Sequence, residues 1–148
     1  RAWVHVHAAS LTTDNVIDAL RAGDFYGSTG VELSDIQITD DALRVIVKPD
    51  NDARYAIRFI GTRRDADLTS QPVIGPHGDV LRTTRQYGPD IGATLAIEHG
   101  TKATYRFRGD EHYVRAEIVS DRYIASPTAG MEYQRAWTQP VQPNAPSR

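Results

Sequence analysis

Asp24-Phe25-Tyr26-Gly27-Ser28-Thr29-Gly30-Val31-Glu32-Leu33 is the stretch on which the reading of the fold turns. Before it, residues 1–22 hold one strand-like run and one helical run; after it, the apolar residues recur with a period of two, in short segments. Phe25 and Tyr26 suit a buried strand, and Gly27 and Gly30 supply the backbone freedom that a change of direction requires. On local chemistry the stretch is a structural corner.

Upstream of the corner, Trp3, His5 and His7 fall on one side of a strand and Val4, Val6 and Ala8 on the other. Thr12 is placed to cap a helix that Asp14 favours in its first turn, with Val16, Ile17, Ala19 and Leu20 as its apolar stripe and Gly23 as a left-handed C-terminal cap. Leu11 and Val16 have the spacing of a hydrophobic staple. Strand, capped helix and a second strand at Phe25-Tyr26 make the βαβ pattern of parallel sheets and barrels. One such unit cannot bury both of its own faces. The sequence also starts without Met and enters a strand-like run almost at once, which leads us to expect a piece of a longer chain.

Downstream, Leu43, Val45 and Val47 alternate with Arg44, Ile46 and Lys48, and Tyr55, Ile57 and Phe59 with Ala56, Arg58 and Ile60. Pro49-Asp50-Asn51-Asp52 marks the turn between them. Residues 62–90 are a long excursion with a short hairpin around Val73-Ile74 and Val80-Leu81. Further strands follow at Ala93 to Ile97, Ala103 to Phe107 and Tyr113 to Val119, before a last apolar anchor at Ala136-Trp137 and a proline-rich ending from Pro140. Half-buried strands at this spacing predict an antiparallel β-sandwich. The expected fold is therefore mainly β within the α+β class: a strand–helix–strand unit over 1–30, a sandwich over 31–141 and a solvated tail over 142–148.

Composition narrows the function. Seventeen basic and 19 acidic residues give a formal charge of −2, so the basic footprint that nucleic acid demands is missing. There is no cysteine, hence no disulfide framework or thiolate metal site. No stretch is apolar enough to span a bilayer, and the expectation is a soluble protein with no membrane partner and an undetermined compartment. His5-Val6-His7 puts two imidazoles on one strand face, the only pair worth testing as metal ligands, although no third ligand stands at ligand spacing. Asp40-Asp41, Asp50-Asn51-Asp52 and Asp65-Ala66-Asp67 read as turn acids, since none fits a calcium loop. Arg106, Arg108 and Arg115 offer a cationic face toward Glu111, Glu117 or another domain, with cross-strand ion pairing the plainer reading. No serine has a nucleophile's setting, so the residues alone give no catalytic site.

Taken in order, Arg1-Ala2-Trp3-Val4-His5-Val6, Leu11-Thr12, Ile17 to Gly23 and Phe25 to Leu33 resemble the closing segment of PHP-domain metallohydrolases, the polymerase-and-histidinol-phosphatase superfamily. The carbaryl-hydrolase-like branch is the nearest match. Tyr55 to Thr62, Tyr113-Val114-Arg115-Ala116 and Ala136-Trp137-Thr138-Gln139-Pro140-Val141 resemble that branch's later signatures. The resemblance implies the C-terminal, accessory part of a hydrolase whose barrel binds two or three divalent ions (zinc, manganese or iron) and cleaves phosphoester, carbamate or amide-like bonds. It also implies that the ligand motifs lie upstream, that His5 and His7 are not among them, and that this chain by itself holds no cofactor and no catalytic residue. Its partner would be the catalytic barrel, in the same polypeptide or a separate chain. Trp3, Val4, Val6, Ile17, Leu20 and Phe25 would face that barrel and, if uncovered, promote self-association. The rival reading is a self-contained sandwich that binds carbohydrate or protein through Tyr87, Tyr123 and Tyr133.

Overall fold

The computed structural model describes residues 2–124, 130 and 132–143. It begins with strand β1 (Trp3–Val6), helix α1 (Thr13–Ala22) and strand β2 (Phe25–Ser28). Strands β3 (Leu33–Ile38), β4 (Ala42–Val47), β5 (Tyr55–Arg63), β6 (Ser70–Ile74) and β7 (Val80–Tyr87) follow, then β8 (Ala93–His99), β9 (Lys102–Arg106), β10 (Glu111–Tyr123) and β11 (Tyr133–Trp137). The fold is mainly β, and every strand pairing is antiparallel.

Two sheets pack face to face. One has six strands in the order β1-β2-β11-β10-β5-β8, the other three in the order β3-β4-β9. Alternation decides what lies between them. Leu43, Val45 and Val47 of β4 and Ala103 and Tyr105 of β9 meet Tyr55, Ile57 and Phe59 of β5 and Val114, Ala116 and Ile118 of β10, all of them buried. Val31 and Tyr26 close this core beside the corner that opens the sandwich. At the corner, the Ser28 hydroxyl donates to the Val31 carbonyl at 2.7 Å and accepts from the Gly30 N–H at 2.9 Å. Gly30 has φ 148°, where a side chain would be strained, and a Cβ there would meet Gln134 at 2.4 Å.

The N-terminal unit differs from its expected form. Its strands are not parallel: Trp3 pairs with Ser28 and Val6 with Phe25 in an antiparallel ladder. The His7 N–H bonds the Asp24 carbonyl at 2.8 Å, so β1 ends where β2 begins. A parallel crossover needs a helix that carries the chain back along the strands. Here the helix is an excursion within a hairpin connection instead. Its caps form as expected, with Thr12 Oγ1 accepting from the Asn15 N–H and Gly23 at φ 81°. The staple does not, because Leu11 is 98% exposed. β2 also pairs with β11, so the six-stranded sheet runs unbroken across residue 30.

The expected hairpin in the excursion is present as β6 and β7, with Val73 opposite Leu81 and Ile74 opposite Val80, in a two-stranded sheet of its own. The proline-rich ending is tied down further than expected. Val141 and Val114 exchange backbone hydrogen bonds of 2.7 and 2.8 Å, and Pro143 is buried. Residues 144–148 of the expected tail lie outside the described residues. Among the described residues, no helix is long and apolar enough to cross a membrane.

Candidate functional site

His5 and His7 open on a cavity of about 340 Å³ between the β1–β2 edge and β3, together with Asp24, Tyr26, Asp35 and Gln139. The His5 ring stacks on Tyr26, with centroids 4.7 Å apart and planes 10° from parallel. Its Nε2 accepts from the Trp3 indole N–H at 2.8 Å. Tyr26 in turn accepts from the Leu33 N–H at 2.9 Å, and burial holds its phenol above the ordinary value. His7 is exposed. Among the described residues no three His, Asp or Glu side chains converge to hold a metal ion, and one ring nitrogen of His5 is engaged. The donor set does not fit the two or three ions that the PHP resemblance implies for the parent.

The acidic runs serve turns. Asp41 accepts from the Thr39 hydroxyl at 2.6 Å, the Asp50 carbonyl accepts from Ala53 N–H at 2.9 Å, and Asp67 accepts from Thr69 N–H at 2.9 Å. Arg106, Arg108 and Arg115 do not make one face. Arg106 pairs with Asp41 at 3.1 Å on the smaller sheet, and the Arg108 backbone N–H binds Glu111. Only Arg115 points outward from the six-stranded sheet, beside Glu117 on the same strand.

That outward face carries the cluster that the sequence reading missed. Glu117 lies opposite Arg58 on β5 and opposite Trp137 on β11, with Arg135, the partner of Val119, diagonal to it. Arg58 and Arg135 each take one Glu117 oxygen, Arg135 at 2.5 Å, and the carboxylate is buried beneath them. Burial, the largest influence, works against ionisation of Glu117; the two guanidiniums outweigh it and hold the carboxyl below its usual value. Arg58 alternates with the buried Ile57 and Phe59, but its partner lies 59 residues further on. Only the strand register reveals the pair.

Next to this cluster runs an open groove of about 520 Å³, lined by Val4, Phe25, Tyr113, Arg115, Trp137 and Gln139 among others. Trp137 pairs with Gly27 across the β2–β11 ladder. Its Cε3 lies 3.8 Å from where a Cβ on Gly27 would sit, an ordinary van der Waals separation, so the indole lies alongside Gly27 without filling the place of a side chain. No known protein family, curated protein or solved structure matches the chain. Of the aromatics that the binding-module reading named, Tyr123 and Tyr133 stack with centroids 4.8 Å apart, and Tyr87 belongs to the two-stranded β6–β7 sheet.

Proposed function

We propose that this chain is the C-terminal accessory part of a PHP-type metal-dependent hydrolase and is not catalytic by itself. The observation that carries the reading is the uncovered strand–helix unit. β1 is an edge strand, and Trp3, Val4, Ile17 and Leu20 are 39–52% exposed on it and on α1. A surface of this composition is suited to burial against a further body. The resemblance of residues 1–6, 11–12, 17–23, 25–33, 55–62, 113–116 and 136–141 to PHP-type hydrolases supports the metal-binding barrel as that body.

The test compares the 148-residue chain with the product of the longer reading frame that contains it. Both are assayed with bis(p-nitrophenyl) phosphate in manganese or zinc, and both are analysed for bound metal. Turnover and two or three ions per chain are expected from the longer product alone, with His-x-His and Asp-x-His motifs in its upstream sequence. Metal-dependent turnover by the 148-residue chain, or an upstream sequence without those motifs, would overturn the reading.

A second consequence concerns the chain in isolation. Among the described residues one edge of β1 is unpaired, and the strand contains neither proline nor lysine to discourage pairing. We expect a concentration-dependent dimer in sedimentation equilibrium, and a monomer for Val4→Lys. Equal association in both proteins would remove the strand–helix unit as the contact. The binding-module reading draws its own support from the aromatic groove beside Arg115.

A further inference from the structure

On the outward face of the six-stranded sheet, Arg58, Arg115 and Arg135 lie around the Glu117 carboxylate, while Asp121, further along β10, accepts from the Arg54 backbone N–H at 3.1 Å. Both Glu117 oxygens are taken by Arg58 and Arg135. Arg115 is half-buried and, among the described residues, has no acidic partner. Its groove is lined by aromatic and aliphatic side chains, by Thr138 and by the amides of Gln139 and Gln142, with no carboxylate among the described residues. A half-buried guanidinium left without an anion in such surroundings attracts one more strongly than it would in water.

We infer that this groove binds a small carboxylate with a flat aromatic body. The guanidinium fork of Arg115 matches a carboxylate through two parallel N–H donors. A single free cation, with no second one beside it, balances a single negative charge better than a phosphate dianion. The Trp137 indole, beside Gly27, and the neighbouring Tyr113 and Phe25 rings suit an aromatic ring by offset or edge contact. The groove shares Val4 and Phe25 with the face assigned above to the barrel, so the inference is tested on the 148-residue chain, where that face is open.

The experiment is isothermal titration of the 148-residue chain with phenylacetate and indole-3-acetate, against phenylacetamide, glucuronate and inorganic phosphate. Saturable binding of the two aryl carboxylates is expected, at least about tenfold tighter than that of the amide, since the lost interaction is a charge-assisted hydrogen-bond pair. Arg115→Gln and Trp137→Ala should each weaken phenylacetate at least about tenfold, and Arg115→Lys should recover part of the loss. Arg106→Gln, on the opposite sheet, should bind as the parent does. Native-like circular dichroism of each variant separates lost binding from lost fold. The inference is overturned if the amide or glucuronate binds as tightly as phenylacetate, if phosphate competes equally, if Arg115→Gln leaves binding unchanged, or if no saturation is reached.

Discussion

Phe59→Ala is expected to lower the unfolding free energy by about 3–5 kcal/mol, measured by urea denaturation. Phe59 is fully buried at the centre of β5, and its ring lies 5.5 Å from that of Tyr105 on the opposing sheet. Removing the ring takes away apolar burial and leaves a void between two sheets that cannot close on it independently. Small domains are stable by only about 5–15 kcal/mol in total, so the variant should sit close to unfolding at 37 °C. Ile97→Ala is the control, because Ile97 on neighbouring β8 is 54% exposed and should cost no more than about 0.5 kcal/mol. A loss under about 1 kcal/mol for Phe59→Ala would contradict face-to-face packing of the sheets at this point.

Glu111→Ala should cost about 3 kcal/mol through a different mechanism. Glu111 is fully buried where the chain passes from β9 in the smaller sheet to β10 in the larger. Its carboxylate accepts from the Tyr105 hydroxyl at 2.7 Å and from the N–H groups of Arg108 and Gly109 at 3.0 Å each. Truncation leaves these donors without their acceptor. Burial is the largest influence on the Glu111 carboxyl and opposes ionisation, but the Arg108 N–H and Tyr105 hydroxyl outweigh it, so the carboxyl titrates below its usual range. A depressed folded pKa gives stability that is fully present above the unfolded value of about 4.3 and is lost as pH falls through the folded one. The midpoint of thermal unfolding should therefore be flat from neutral pH down to about 5 and fall below about 4. Glu117 contributes in the same window, as its pKa is also lowered. Glu111→Gln should show a shallower acid limb than the parent. An unchanged limb would mean that the carboxylate does not hold the turn as an anion.

Much of the fold was legible because alternation carries its own face assignment. Leu43, Val45, Val47, Ile57, Phe59, Val114, Ala116 and Ile118 read as one-sided strands and are all buried. The helix caps were equally readable, since Thr12 and Gly23 act within a few residues of themselves. What failed was what needs long-range pairing. Direction within β1–α1–β2 depends on where the helix sits, and the same local pattern serves parallel and antiparallel neighbours. Glu111 was read as a partner for surface arginines and not as a buried group, because the ladder shifts between Glu111 and Tyr113. Without that shift His112 would share the inward phase of Val114; with it, Glu111 turns inward and His112 is exposed. The groove was hidden for a related reason. Val4, Phe25, Arg115 and Trp137 are widely separated in sequence and meet only in the order in which the strands are laid side by side.

The contact between β2 and β11 bears on how the protein is made. Ser28 bonds to Arg135 across 107 residues of chain, so the strand that finishes this part of the sheet leaves the ribosome long after the strand that awaits it. At about 5–20 residues per second, the delay is about 5–20 s. During that time β2 lacks its native partner on one side, and Trp3, Val4 and Tyr26 are presented to whatever is nearby in the cell. A nascent chain held in this state is a natural client for a chaperone, and newly made protein should be far more prone to aggregate than the finished domain.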